Sequence, residues 1–422
     1  MADRWPALDL IDPPAYVYQL DEVRTAYRLL RSALPQPSTL LYSLKANPHP
    51  ALVRTLAEQG CGAEICSTGE LVAALDAGLA SRRLLYTGPG KRDIEVVEAV
   101  KAGVRWFSVD SPSGLRQVDS TARRLGVRAQ CLLRINDAAT VPGQGLAMTG
   151  SASQFGSDTD WICAEPAAFT LPPVVDAGAE LAGFHVYQGS NLDREDAVLA
   201  QFEVAIAACR RVADGLGVRP RVLDLGGGFG APFARSGQLP SFTTLASRLA
   251  LLLEQNFPGW AAGRPRIVFE SGRYLAGSCG MLLTRVADAK HSHGQQVVVL
   301  ESGIHHLGGM SGLRRIPQMV PELILAQDRA RHSNTIVTGP LCTPLDTWAR
   351  SAELPELHRG DLVGVPNVGA YGLTASLLAF LGHPAPVEAV IDGDRLVELS
   401  RLEWTRRPAG PAPEPHLSRE DS

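Results

Sequence analysis

Eight short apolar runs alternate with helix-like stretches along the first two thirds of the chain, and this alternation constrains the fold most. The runs lie at 39–44, 62–67, 83–88, 105–110, 130–135, 183–188, 221–226 and 266–271. Their connectors include the amphipathic stretches 69–79 and 197–217. Buried strands that alternate with helices are typical of a parallel sheet covered on both faces. Eight such units in roughly 240 residues predict a closed (β/α)8 barrel, with an open doubly wound sheet as the alternative.

The pattern changes after about Ala276, where strand-like runs follow one another across turns. They lie at 281–290, 295–301, 335–340, 361–366 and 387–399. This succession predicts a second, mostly β domain, and the run at 15–20 is a candidate further strand of it. The predicted domains are a barrel at 22–275, a β domain at 1–21 plus 276–407, and a Pro-rich, disordered tail at 408–422.

Composition argues against several classes of partner. The 422 residues are 45% hydrophobic and 20% charged, as is typical of a globular protein with a large core. A net charge of −4 offers no basic surface for nucleic acid or an anionic membrane, and no apolar run approaches the length of a membrane span. The N-terminus lacks the shape of a signal peptide, and seven cysteines without a repeated CxxC pair favour reduced thiols in the cytoplasm.

The stretch YSLKANPH (42–49) places a lysine at the end of the first predicted strand. Lysine is scarce in this chain, which contains only Lys45, Lys91, Lys101 and Lys290. In a βα barrel the chemistry lies at the carboxyl ends of the strands. A partly buried lysine there can act as a Schiff-base nucleophile. The alternative is a surface lysine in a loop.

Three further candidate features lie at the ends of later predicted strands. His185 ends the sixth, as either a structural histidine or a ring that stacks on a planar ligand. Glu270 ends the eighth, and either pairs with Arg273 or binds a protonated ring nitrogen. After the seventh, the segment LDLGGGFG forms either a simple turn or an anion cradle from Gly226, Gly227 and Gly228. An amine, a ring, an anion cradle and a carboxylate on one rim form the set that pyridoxal phosphate requires.

Six motifs then complete a resemblance to the fold type III pyridoxal-phosphate decarboxylases, the family of the ornithine, arginine and diaminopimelate decarboxylases. In chain order they are YSLKAN, HVYQGSN, LDLGGGFG, ESGRYLAG, GPLCTPLD and VGAYG. The resemblance extends from about Ala15 to Arg401. It implies a (β/α)8 barrel with a second β domain, the architecture of alanine racemase. It also implies pyridoxal phosphate as the cofactor and removal of the α-carboxylate of an L-amino acid or aminoacyl group, and it gives no reason to expect a metal.

The resemblance implies a role for each residue that matches a motif. Lys45 would hold the cofactor as a Schiff base, His185 would stack on the pyridine ring, and Glu270 would pair with the pyridinium nitrogen. The phosphate would be bordered by Ser190, Gly226, Gly227, Gly228, Gly272, Arg273 and Tyr371. Cys342 and Asp346 would cross a homodimer interface into the partner's active site. There Cys342 would protonate the carbanion and Asp346 would face the substrate.

The sequence differs from the commoner members of this family at positions where those enzymes recognise the substrate. Thr343 follows the motif cysteine, whereas diaminopimelate decarboxylases have a glutamate there and ornithine decarboxylases an aspartate. Ser302-Gly303 replaces the Asp-Gly pair of ornithine decarboxylases, and Gln154 replaces the lysine of a common SKFG motif. Without a carboxylate partner, a distal ammonium would be buried unpaired at a cost of several kcal/mol.

The CTPLD and ASQFG combination instead resembles a subgroup that decarboxylates glutamyl or methylaspartyl groups tethered to an acyl carrier protein in antibiotic biosynthesis. We therefore expect a carrier-bound, acidic aminoacyl substrate contacted by Gln154, Thr343 and Asp346. The alternatives are a free diamino acid such as diaminopimelate, and racemisation, against which Glu270 argues because the racemases place an arginine at the ring nitrogen. Four nearby residues form either a solvated loop or a basic cluster suited to an acidic group: His305, His306, Arg314 and Arg315.

Overall fold

The computed structural model describes residues 10–139, 146–147, 149–308, 320–325 and 329–407 of the chain. Arg314, Arg315 and the tail predicted at 408–422 lie outside the described residues. Within these ranges no helix has the length and apolar character needed to cross a membrane.

The chain alternates strands and helices up to residue 276 and is almost entirely β afterwards. Its strands are β1 (Ala15–Gln19), β2 (Thr39–Ser43), β3 (Gly62–Ile65), β4 (Leu84–Tyr86), β5 (Trp106–Val109), β6 (Arg128–Asn136), β7 (Leu146–Ala147), β8 (Ser157–Asp158), β9 (Gly178–His185), β10 (Gly189–Ser190), β11 (Val222–Asp224), β12 (Arg266–Ser271), β13 (Gly280–Ser292), β14 (Gln295–Leu300), β15 (Ile324–Leu325), β16 (Arg331–Thr338), β17 (Thr347–Pro355), β18 (Leu362–Val365), β19 (Val387–Asp392) and β20 (Arg395–Arg401). Its helices are α1 (Leu20–Ser32), α2 (Pro50–Glu58), α3 (Thr68–Asp76), α4 (Asp93–Lys101), α5 (Pro112–Arg124), α6 (Thr159–Ala164), α7 (Glu195–Leu216), α8 (Leu245–Asn256) and α9 (Arg273–Ala276).

Eight parallel strands close into a barrel in the order β2, β3, β4, β5, β6, β9, β11, β12 and back to β2. The pairs β5–β6 and β12–β2 complete the ring, with Trp106 opposite Gln130 and Phe269 opposite Leu40. Each of the eight strands falls on a run predicted from the sequence, and the predicted helices are α3 and α7. The closed barrel is therefore confirmed, and the open sheet is excluded.

Side-chain caps fix the points where the chain leaves a strand and enters a covering helix. Ser67 accepts a hydrogen bond from the amide of Glu70 at the start of α3. Ser111 accepts one from the amide of Gly114 at the start of α5. Such caps satisfy N–H groups that the first helical turn leaves free. The ends of β3 and β5 are thereby held in place.

The barrel interior is built in layers of inward-pointing side chains. An apolar floor consists of one buried cluster, Leu41, Leu85, Leu132, Ala182, Val222 and Val268, with Trp106 packed against it. Side chains alternate along a strand, so residues two positions further on also point inward. At that position seven strands carry a polar residue, namely Ser43, Glu64, Thr87, Ser108, Arg134, Asp224 and Glu270. A polar layer therefore lies directly above the apolar floor, at the carboxyl ends of the strands.

The second sheet has the order β17, β16, β14, β13, β1, β19 and β20, with β18 paired to β13 and β15. The strands predicted after Ala276 are present as β13, β14, β16, β18, β19 and β20. The run at 15–20 joins this sheet as β1, parallel to β19 and antiparallel to β13. Strand β17 was missed because its sequence, TWARSAELP, mixes charged residues with apolar ones and ends in proline. The domain boundaries at 22 and 276 stay a prediction.

We expect Gly183→Ala to destabilise the barrel, because an added Cβ would lie 1.8 Å from the carbonyl oxygen of Val222 on the neighbouring strand β11. Separating two barrel strands should lower the free energy of unfolding by about 2–4 kcal/mol or prevent folding. Urea unfolding measures the change. Gly90→Ala is the matched control, since nothing lies within 4 Å of a Cβ there. Equal stabilities for the two variants would contradict the β9–β11 register.

Candidate active site

A cavity of about 610 Å³ opens at the carboxyl ends of the barrel strands. Most of the residues predicted to bind the cofactor line it: Lys45, His185, Ser190, Gly228, Glu270, Gly272, Arg273 and Tyr371. These residues come from loops after four barrel strands and, for Tyr371, from the loop between β18 and β19. The folded chain therefore brings together groups that are far apart in sequence.

Lys45 lies in a single helical turn, Leu44–Ala46, directly after β2. Its Nζ is 2.9 Å from Oε2 and 3.2 Å from Oε1 of the buried Glu64. The hydroxyl of Thr87 donates to the same carboxylate. Burial acts to lower the pKa of Lys45, but the charge of Glu64 outweighs it and holds this pKa well above its usual value. The charge of Lys45 in turn acts to lower the pKa of Glu64, so the two form an ammonium–carboxylate pair on the cavity wall.

His185 ends β9 and is 2% exposed. Its Nδ1 is 2.7 Å from Oγ of Ser108. Burial, followed by the charges of Arg134 and Lys45, holds the pKa of His185 well below its usual value. The ring is therefore neutral, which is the form that packs against an aromatic ligand without burying a further charge.

Asp224 and Glu270 lie beside His185 in the polar layer. The donor atoms of these three buried side chains all lie within 4.8 Å of one another. Burial raises the pKa of Asp224 to about 7. Burial, together with the charge of Asp224, raises the pKa of Glu270 well above its usual value. The two neighbouring carboxyl groups therefore do not both ionise near neutral pH.

Among the described residues, three buried atoms of this group find no hydrogen-bond partner: Nε2 of His185, Oδ2 of Asp224 and Oε1 of Glu270. Nε2 of His185 and Oε1 of Glu270 are 3.6 Å apart. Buried polar atoms without partners are rare in proteins, so this point of the cavity is prepared for a polar group from outside. By spacing alone these donors could also ligate a metal ion, and the expected absence of a metal stays a prediction.

The glycines after β11 let the main chain pack against its neighbours. A Cβ at Gly227 would lie 2.0 Å from the carbonyl oxygen of Glu270, and Gly228 has a φ of +97°. The side-chain amide of Gln201, on α7, donates to the carbonyl of Gly227 over 2.6 Å. Of the three predicted glycines, Gly228 lines the cavity, and Gly226 and Gly227 shape the turn behind it.

Tyr371 closes one edge of the cavity from the loop between β18 and β19. Its φ is +56°, a rare conformation for an aromatic residue. Its amide donates to the carbonyl of Ala46 over 2.7 Å, one residue beyond Lys45. The guanidinium carbon of Arg273 lies 4.8 Å from the centre of its ring. Such strained backbone persists where surrounding contacts hold it, often at functional sites.

Besides Gly226 and Gly227, four predicted site residues do not line this cavity: Gln154, Cys342, Thr343 and Asp346. Gln154 is exposed, and the residue after it, Phe155, reaches the cavity instead. Cys342 is exposed in the loop between β16 and β17. A role for Cys342 in the partner's site stays a prediction.

Asp346 is buried, and both of its carboxylate oxygens are occupied. They accept hydrogen bonds from the amides of Ile304, over 2.8 Å, and Leu341, over 2.9 Å. Gly303 packs so closely that a Cβ there would lie 2.2 Å from Oδ1. Within one chain Asp346 joins two loops of the second sheet, and a contact with substrate stays a prediction.

His305 and His306 form neither a solvated loop nor a basic cluster. Their side chains are 1% and 3% exposed, with ring centres 3.7 Å apart. Burial lowers the pKa of His305 to about 3 and that of His306 to about 4, so both are neutral. Neither lines the cavity. The suggestion that they attract an acidic group is wrong.

Most residues of the polar layer were not predicted from the sequence. Glu64, Thr87 and Arg134 line the cavity, and Asp224 lies behind it. Thr87, Arg134 and Asp224 each stand two residues after an apolar floor residue. Alternation along the predicted strands could therefore have identified them. Glu64 stands two residues after Gly62, which is not an apolar floor residue, so alternation along the strand does not identify it.

Comparison with known proteins places this cavity in a family. Residues 20–277 match the family model for the pyridoxal-dependent decarboxylase, pyridoxal binding domain. The L-glutamyl-[BtrI acyl-carrier protein] decarboxylase of Niallia circulans is 30% identical, with 93% of this chain and 92% of that protein covered. The diaminopimelate decarboxylase of Methanothermobacter thermautotrophicus is 31% identical, with 92% and 89% covered.

Solved structures agree on the fold. The diaminopimelate decarboxylase of Helicobacter pylori, crystallised with L-lysine, superposes with a TM-score of 0.77 at 24% identity, over 92% of this chain and 93% of that one. The lysine/ornithine decarboxylase of Vibrio vulnificus, in complex with putrescine, gives a TM-score of 0.71 at 23% identity, over 90% and 94%. At these identities the likeness shows the architecture, a barrel with a second, mostly β domain.

We expect Glu64→Gln to lower the pKa of Lys45, because burial then acts without the charge that outweighs it. In a pH series with an amine-acylating reagent, read by peptide mass spectrometry, Lys45 of the variant should label at lower pH than Lys45 of the wild type. Lys290, exposed and 3.6 Å from Asp288, is the internal reference and should label alike in both proteins. An unchanged Lys45 profile would contradict the importance of this ion pair.

Proposed function

Because the chain belongs to the family of pyridoxal-dependent decarboxylases, we propose that its substrate is an acidic aminoacyl group tethered to an acyl carrier protein in natural-product biosynthesis. The chain is a pyridoxal phosphate-dependent carboxy-lyase, and the proposal concerns what it acts on. Glutamyl and methylaspartyl groups are the chemical types that we propose.

One observation carries this proposal: the positions where the ornithine and diaminopimelate decarboxylases carry an acid are neutral in this chain. They are Thr343 and the Ser302-Gly303 pair. Asp346 lies in the same loop as Thr343, and backbone amides occupy both of its carboxylate oxygens. Burying an ammonium unpaired costs several kcal/mol. The L-glutamyl-[BtrI acyl-carrier protein] decarboxylase, at 30% identity, supports the same substrate class.

The residues of the cavity fit pyridoxal phosphate. Lys45 offers the amine that its aldehyde requires, and His185 and Glu270 present buried atoms that lack partners. Ser190 and Gly228 border the space beside the glycine turn, where a phosphate would lie. When bound, the cofactor supplies an aldehyde and a ring that accepts the electrons left by departing CO2.

Two carboxylates would control the protons at this site. Glu64 lies 2.9 Å from Nζ of Lys45, close enough to orient the amine. Oε1 of Glu270 lacks a hydrogen-bond partner among the described residues and belongs to a carboxyl group whose pKa is raised. A protonated ring nitrogen would supply the positive charge that lets Glu270 ionise in this buried position. Neutral His185 would then support the ring without opposing that charge.

We also propose that the active enzyme is a homodimer in which Cys342 enters the partner's cavity. Cys342 is exposed and does not line the cavity of its own chain. Leu345, in the same loop, is 77% exposed, as expected for an apolar residue that a second subunit covers. In the partner's cavity the thiol would deliver a proton to the carbon that has lost CO2.

A direct assay compares substrates by the mass change that accompanies loss of CO2. We expect carrier-bound glutamyl or methylaspartyl groups to react, and free ornithine, lysine, arginine and diaminopimelate to react at least about a hundredfold more slowly. The Lys45→Ala variant is the control and should release no CO2. A faster rate with free diaminopimelate would favour the second candidate, a diaminopimelate decarboxylase, which a relative at 31% identity supports. Inversion at Cα without CO2 would indicate a racemase.

Coexpression of Lys45→Ala and Cys342→Ala chains tests the shared site. Each variant alone should lose most of its activity. Hybrid dimers would contain one site with both residues intact, so the mixture should recover roughly a quarter of wild-type activity. Cys163→Ala, at a half-buried cysteine outside the cavity, is the matched control and should stay active. No recovery in the mixture would contradict a site built from two chains.

A further inference from the structure

Arg134 is a cation on the cavity wall for which the described residues provide no anionic partner. It lies on β6, opposite His185 of β9 in the sheet register, and is 7% exposed. Its side chain lines the cavity. Among the residues that the structure describes, none forms a hydrogen bond or an ion pair with its guanidinium. Lys45, on the same cavity, is paired with Glu64.

The guanidinium nitrogens of Arg134 are not among the buried atoms that lack a partner, so they face the open cavity, where an anionic ligand can reach them. Arginine also has five N–H donors in a planar fork that matches a carboxylate. The charge of Arg134 acts to lower the pKa of Asp224 and of Glu270, but neither carboxyl group forms an ion pair with it. A ligand in the cavity can therefore supply the anionic partner that the described residues do not.

Phe155 holds the guanidinium in place. The guanidinium carbon lies 4.6 Å from the centre of the Phe155 ring, a cation–π distance that leaves the donor edge of the guanidinium open. The loop that carries Phe155 is anchored next to it. The amide of Gly156 donates to Oδ1 of Asp110 over 2.8 Å, and the hydroxyl of Ser157 donates to the carbonyl of Asp110 over 2.8 Å. Arg134 is thus oriented before any ligand binds.

We propose that Arg134, with Phe155 packed over it, binds a carboxylate of the substrate. The proposed phosphate position, beside Ser190 and Gly228, is bordered by loops after β9 and β11, so Arg134 on β6 is not required for it. A fixed cation in the cavity favours an acidic amino acid and opposes a second ammonium. This inference rests on the proposed function and makes its substrate class more specific.

The test measures binding of glutarate, a dicarboxylate without an amine, to the pyridoxal phosphate-loaded protein by calorimetry. We expect Arg134→Met to weaken binding by roughly ten- to a hundredfold, because a charge-assisted hydrogen bond contributes about 1.5–3 kcal/mol. Arg134→Lys should retain part of the affinity. Arg210→Met, at an exposed arginine on α7 that pairs with Asp214, is the matched control and should bind as the wild type does. Equal affinities for wild type and Arg134→Met would overturn the proposal.

Two amine ligands identify which carboxylate Arg134 binds. L-norvaline keeps only the α-carboxylate, and 4-aminobutyrate keeps only a distal one. Titrations followed by cofactor absorbance should show weaker binding of one of them to Arg134→Met, and no effect on either would overturn the proposal. Lower affinity for pyridoxal phosphate with unchanged glutarate binding would also overturn it, by assigning the cation to the cofactor. Glutarate binding does not depend on turnover, so inactivity with carrier-bound substrates would count only against the proposed function.

Discussion

Asp224 and Glu270 lie side by side in the barrel, directly above an apolar floor. Two buried carboxyl groups this close do not both ionise, and burial raises the pKa of each. One oxygen of each remains without a partner. The protein therefore maintains a strained electrostatic arrangement that a cationic ring nitrogen would relieve, and the rest of the cavity is organised around that position.

The glycine turn after β11 connects this pair to the cavity edge. The amide of Gly226 donates to Asp224 over 2.9 Å, and its carbonyl accepts from the amide of Glu270 over 2.7 Å. The same turn packs Gly227 against Glu270 and presents Gly228 to the cavity. One short segment thus fixes both carboxyl groups and borders the proposed phosphate position. Changes in this turn should therefore affect the two functions together.

The fold and many of the site residues could be predicted from the sequence, because both leave local signals. Buried strands are short apolar runs, and the lysine, the glycines and Glu270 stand at strand ends. Glu64 could not be placed by such signals, since it stands two residues after a glycine and its importance depends on which side chains meet across the barrel. The expectation for His305 and His306 failed for the same reason: burial made both neutral. The burial, partners and protonation of these side chains depend on contacts between distant segments, which the sequence pattern does not give.

The most direct measurement is a crystal structure of this chain grown with pyridoxal phosphate. We expect density for the cofactor continuous with Nζ of Lys45, its ring against His185 and its ring nitrogen within hydrogen-bond distance of Glu270. A cofactor bound elsewhere, or a Glu270 carboxylate turned away from the ring, would contradict the proposed cofactor site.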